Sequence, residues 1–194
     1  MINMIKLRLA APDDCGAILD IYRPYVEDTS ITFELETPTH DEFSARMSDI
    51  MHFFPYLIAE RDGEVIGYAY AHFLHERAAY RFNAELSVYL KWRCTGGGVG
   101  SKLYSALIEL LRAQGFRKLY AIVTMPNAAS DALHRRFGFE PLIRFANQGF
   151  KLGEWHDVEW YELVLRQAEG APDELKPFDS LDAGFVAETL ARAQ

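Results

Sequence analysis

Apolar residues along the chain first alternate and then recur at three- and four-residue steps, and each switch between the two periods marks an element. Residues 4–10 alternate as a strand does. Pro12, Asp13 and Asp14 then open a helix, since proline suits the first turn and the acids suit its positive end. Ile18, Ile21, Tyr22 and Tyr25 give that helix one apolar stripe. A loop over 26–37 and a second helix over 39–50, capped by Thr39, are predicted next. Residues 56–60 and 64–71 read as strands around Arg61-Asp62-Gly63, a hairpin signal. A further strand over 82–90 puts Ala84, Leu86, Val88 and Leu90 on one face and Glu85, Ser87 and Tyr89 on the other.

A glycine-rich turn follows, and Leu103, Leu107, Leu110 and Leu111 then mark a long amphipathic helix ending at Gly115. Residues 119–124 read as a buried strand, and Asn127 caps a short helix that stops at Gly138. Two strands over 141–147 and 155–165 complete the pattern. From Gln167 the chain carries Pro172, Pro177 and clustered acids, with weak helical periodicity from Leu181. This gives one domain over 1–166 and a C-terminal appendage over 167–194. The fold class is α/β: a single mixed, mostly antiparallel twisted sheet flanked by helices. A doubly wound nucleotide fold is excluded because the middle strands come as hairpins.

Composition narrows the partners more than the fold. A chain of 194 residues, 49% hydrophobic and 25% charged, can build its core without staples. Its net charge of −8 argues against a nucleic-acid grip and against a polybasic membrane patch. No apolar run is long enough to cross a bilayer, and residues 1–11 lack a cleavable signal pattern. Cys15 and Cys94 have no metal-type spacing and are expected as reduced thiols in the cytoplasm. His72 and His75 resemble a metal pair only superficially: on a continuous strand they would point to opposite faces, so no metal is expected. Cys94 lacks a neighbouring base and is expected to be inert.

The chemistry concentrates where the strand over 82–90 meets Gly96-Gly97-Gly98-Val99-Gly100-Ser101 at a helix start. Consecutive glycines let the backbone approach a bulky anion, and free N–H groups at a helix start favour phosphate. By itself this is also what a flexible strand-to-helix turn looks like. It is no Walker loop, since Ser101-Lys102 reverses the required order. A dinucleotide fingerprint is excluded by the antiparallel strand before it.

The strand, glycine turn, helix and strand, followed by Asn127-Ala128-Ala129-Ser130 and residues 133–139 (Leu-His-Arg-Arg-Phe-Gly-Phe), resemble the acetyl-CoA core of the GNAT N-acetyltransferases. Within them the chain is most similar to the phosphinothricin N-acetyltransferase family. That similarity rests on residues 21–26, Thr32-Phe33-Glu34, residues 77–80, residues 85–89, Pro126-Asn127, Gly149-Phe150-Lys151 and Trp155-His156-Asp157-Val158, and spans about 5–165.

The resemblance implies acetyl transfer from acetyl-CoA to the primary amine of a small amino acid or analogue, of the phosphinothricin or methionine sulfoximine and sulfone type. Val88, Tyr89 and Leu90 would offer backbone groups to the pantetheine arm and thioester. Gly96, Gly97, Gly98, Val99, Gly100 and Ser101 would hold the diphosphate, with Asn127 and Ser130 beside the arm. Glu85 would be the base and His134 a second catalytic group, as acid or base. Thr32, Phe33, Arg77 and Tyr80 would form the substrate pocket, where a guanidinium clamps a carboxylate or phosphinate. A homodimer is implied as well. Two departures weaken the expected cofactor grip: Thr95 and Gly97 stand where the family usually has an Arg or Gln and a basic residue. Two alternatives remain open at this point, a protein or peptide N-acetyltransferase and an idle acyl-CoA-binding sensor.

Overall fold

The computed structural model describes residues 5–95, 97–167 and 169–194. Seven strands form one sheet in the order β1-β2-β3-β4-β5-β7-β6. They are β1 Lys6–Leu9, β2 Tyr56–Arg61, β3 Glu64–Phe73, β4 Asn83–Leu90, β5 Lys118–Met125, β6 Glu140–Lys151 and β7 Glu154–Val164. All neighbours are antiparallel except β4 and β5. The α/β class read from the sequence stands.

The helices are α1 Cys15–Asp28, α2 His40–Met51, α3 Val99–Gln114, α4 Ala128–Arg136 and α5 Ala183–Arg192. One sheet face packs on α3 and α5 around Leu57, Leu86, Leu103, Leu107, Leu119 and Tyr161. The other packs on α1 and α2 around Ile18, Tyr22, Phe43, Ile58 and Tyr68. Strand β4 divides between them as its alternation requires: Ala84, Leu86, Val88 and Leu90 join the first core, and Tyr89 joins the second.

The predicted local signals set most boundaries. Thr39 caps α2 with a reciprocal pair of bonds to Glu42, and the Asn127 side chain accepts from the Ser130 N–H at the start of α4. Asp62 and Gly63 both have positive φ, the geometry of a two-residue hairpin turn between β2 and β3.

Three expectations need correction. Helix α1 does not end before Val26 but continues through Pro24 to Asp28, because Tyr25 and Val26 extend its buried stripe. Thr29 then closes it, its hydroxyl donating to the Tyr25 carbonyl at 2.7 Å. Strand β6 runs to Lys151 rather than stopping at Asn147, with irregular register around Pro141 and between Phe145 and Gly149 absorbing the extra length. The stretch read as an appendage is part of the packed body: Val186 and Leu190 bury against the α3 face. The buried Gln114 amide ties that stretch down, donating to Phe53 O at 2.8 Å and Lys176 O at 2.9 Å.

Candidate active site

Strands β4 and β5 pair only over Asn83↔Lys118, Ala84↔Leu119 and Glu85↔Tyr120, and then part. A cleft of about 220 Å³ opens beyond that point, lined by Glu85, Ser87, Val88, Tyr89, Thr124 and Val158, among others. Asn127 at the cap of α4, with Ser130 and His134 from the helix itself, forms one wall, and Thr32 and Phe33 from the α1–α2 loop form another. Thus the structure brings together both expected catalytic groups, part of the expected cofactor set and half of the expected substrate pocket.

The parted strand leaves backbone groups without a ladder partner. The Tyr25 hydroxyl donates to Leu90 O at 2.6 Å and accepts from Leu90 N–H at 3.3 Å, so both Leu90 groups point away from β3 and are occupied. Strand alternation turns the Val88 N–H and C=O the same way, where β5 has already departed. Val88 therefore faces the cleft with its backbone, whereas the Leu90 groups meet a phenol. Tyr25 is held in turn by Trp92, stacked at 4.9 Å.

Glu85 lies at the closed end of the cleft. Burial raises its pKa above the ordinary carboxylate value, and His72 and His75 partly oppose that rise. Strand β3 stops at Phe73, so the alternation expected to send His72 and His75 to opposite faces does not reach His75. Among the described residues, no three His, Cys, Asp or Glu side chains gather as a metal site.

His134, only 4% exposed, stacks on the Tyr161 ring at 5.3 Å and meets Tyr104 and Phe139 edge-on. Its Nδ1 is 3.3 Å from Ser130 Oγ. Burial pushes its pKa down to about 4, outweighing the Ser130 contact and the nearby Asp131 carboxylate. The imidazole is therefore neutral near pH 7, which removes a resting imidazolium from the possible roles.

Gly98 precedes α3 with φ +78°, a conformation that favours glycine, and no side chain caps the helix start. The free N–H groups of the first turn are thus available to an anion. Gly100 lies between Leu90 and Leu133, which sets this turn at the edge shared by β4 and α4. Gly97, Gly98, Val99, Gly100 and Ser101 flank the cleft rather than line it, and Gly96 lies outside the described residues. Arg61, at the end of β2, extends its guanidinium to 3.9 Å from where a Gly97 side chain would begin.

Arg77 and Tyr80 also lie outside the lining residues, in the exposed segment between β3 and β4. Tyr80 packs edge-on against His75 at 4.7 Å, beside the Glu85 end. On the opposite wall, Lys151 donates to Thr32 O at 2.8 Å from a buried position. Any side chain at Gly149 would strike the Phe33 ring, so β6 fixes Thr32 and Phe33 from behind. His156 bonds to Lys151 O at 2.9 Å, and Asp157 accepts from Asn147 N–H at 2.9 Å; both brace the β6–β7 hairpin. Tyr25, His72 and Lys151 were not legible as site residues, because a helix stripe, a strand alternation and a motif position each gave them a sufficient structural reading.

Comparison with known proteins identifies the family. Residues 7–160 match the family described as an acetyltransferase (GNAT) domain, and the chain belongs to the GNAT acetyltransferase family. It is similar to the phosphinothricin N-acetyltransferase of Streptomyces viridochromogenes, 34% identical over 81% of this chain and 86% of that enzyme. It is also similar to the L-methionine sulfoximine/L-methionine sulfone acetyltransferase of Pseudomonas paraeruginosa, 36% identical over 86% of this chain and 98% of that one. A solved phosphinothricin acetyltransferase from Sinorhizobium meliloti, in complex with AcCoA, superposes with a TM-score of 0.85 at 37% identity, covering 91% and 97% of the two chains.

Proposed function

We propose that this acetyltransferase moves the acetyl group of acetyl-CoA directly onto the primary amine of a small amino acid or analogue, of the phosphinothricin or methionine sulfoximine and sulfone type. The observation that carries this reading is the parting of β4 from β5 directly after Glu85, with Val88 and His134 on the same cleft. Glu85 takes the proton that the substrate ammonium must lose before its nitrogen can attack. The Val88 N–H stabilises negative charge developing on the thioester oxygen. The open first turn of α3, with the glycine run before it, holds the diphosphate. A C–N bond forms, the C–S bond breaks, and the second proton lost from the nitrogen passes to the departing sulfur, so that CoA leaves as its thiol. His134 serves as a neutral ring, able to pass a proton but not holding an extra one at rest.

Thr32 and Phe33 shape the amine pocket, and in this reading Arg77 and Tyr80 meet the substrate from the exposed segment between β3 and β4. We infer a homodimer through the β6 side of the sheet, where Leu142, Ile143, Phe145, Phe150 and Trp155 are all exposed. A cytoplasmic site of action fits the two free, buried cysteines. The test is release of free thiol from acetyl-CoA across a panel of amino acids and their sulfoximine, sulfone and phosphinate analogues. Turnover on members of that panel is expected; acetylation of peptides but of no free amino acid would overturn the reading. Glu85→Gln should lose at least a hundredfold in kcat/KM, and a loss below tenfold would remove Glu85 from the chemistry.

A further inference from the structure

Glu85 must shed each proton it takes before it can act again, yet its side chain is only 20% exposed and lies at the closed end of the cleft. The antiparallel register of β3 and β4 sets His72 directly opposite Glu85, on the same sheet face. His72 Nε2 stands 3.9 Å from Glu85 Oε2, and its ring is 40% exposed. Its other nitrogen, Nδ1, is 3.0 Å from the Phe73 carbonyl oxygen. A carbonyl oxygen only accepts, so Nδ1 carries the hydrogen. In neutral His72 the nitrogen turned to Glu85 is therefore the bare one. A bare nitrogen facing a carboxyl group is a receiving arrangement, and one water or a small rotation closes the remaining gap.

The surroundings leave few rivals for that proton. The other titratable groups around Glu85 are His75 from the segment after β3, Tyr70 on β3, Tyr89 on β4, Tyr120, its register partner on β5, and, on the opposite sheet face, Tyr104 on α3. All four phenols are pushed to higher pKa by burial, and the Tyr120 hydroxyl is engaged by Glu162 at 2.6 Å. That leaves the two imidazoles, whose ring nitrogens can both accept and donate. His75 packs against the Tyr80 ring.

We propose that His72 is the proton outlet of the site, taking from Glu85 the proton removed from the amine and delivering it to bulk buffer. The O–H bond on Glu85 breaks, the N–H bond on Nε2 forms, and the imidazolium then yields one proton to water. Glu85 returns to the carboxylate form for the next turnover. His72 can act in this way only if Glu85 is the base, the reading given above.

The experiment is steady-state thiol release at saturating substrates by wild type, His72→Gln, His72→Asn and His75→Gln, in dilute buffer with and without added imidazole. For both His72 variants kcat is expected to fall about tenfold, with KM values little changed, and free imidazole should restore most of it. The His75 variant should match wild type. Unchanged kcat in the His72 variants, a loss that imidazole does not repair, or a repairable loss at His75 instead would each overturn the assignment. Glu85→Gln, measured alongside, keeps the two readings apart. If that variant loses less than tenfold, the base itself is wrong; if it is crippled while His72→Gln is not, only the outlet is.

Discussion

Replacing His134 by phenylalanine tests whether the imidazole is held neutral by its surroundings. Tyr104, Phe139 and Tyr161 ring the site, so phenylalanine fits a pocket already made of aromatic faces. The histidine pKa falls from about 6.5 unfolded to about 4 folded. The unfolded chain therefore binds more protons than the native one between these values, and stability must rise with pH across that window. Stability from the neutral form is fully present above pH 6.5 and is lost as pH falls towards 4. Over the whole window the shift amounts to about 3 kcal/mol, and between pH 7 and pH 5 to about 2 kcal/mol. The assay is urea unfolding of wild type and His134→Phe at both pH values, with ΔG from linear extrapolation. Wild type should lose about 2 kcal/mol more than the variant on going from pH 7 to pH 5. Parallel losses would refute the buried, neutral imidazole and return a resting imidazolium to the mechanism.

Three further outcomes follow from packing and charge. Lys151→Met removes the bonds that hold the Thr32 and Tyr25 carbonyls, so the amine KM should rise several-fold while the acetyl-CoA KM stays put; equal rises in both would contradict the anchor role. Leu190→Ala opens a cavity under α5 and should cost roughly 2 kcal/mol, or about 5 °C in Tm, by thermal unfolding. No change would mean that α5 is not part of the cooperative unit. Thr95→Arg adds a guanidinium beside the diphosphate loop and should lower the acetyl-CoA KM; an unchanged KM would show that the softer loop costs nothing.

Much of the fold was legible because its signals are local. Thr39, Asn127 and the Asp62-Gly63 turn each act through bonds to residues two or three positions away, and all behave as read. The alternation in β4 likewise placed Glu85 and Tyr89 opposite Leu86 and Val88. What escaped is non-local. Nothing near Tyr25 in sequence announces that its hydroxyl occupies both backbone groups of Leu90, sixty-five residues away. The Lys151 contact to Thr32 spans the molecule in the same way. His72 and His75 were separated by an alternation rule that fails where the strand ends. The tail was read as an appendage because its prolines and acids hide one buried seam of Val186, Thr189 and Leu190.

In the proposed reaction the gap between β4 and β5 holds the thioester with its oxygen on the Val88 N–H. A crystal structure with a non-hydrolysable acetyl-CoA analogue tests this most directly. The analogue's carbonyl oxygen is expected within hydrogen-bond distance of Val88 N, its diphosphate at the start of α3, and Glu85 and His134 on either side. A cofactor bound elsewhere, or a gap closed by side chains with Val88 N–H bonded to protein, would contradict it.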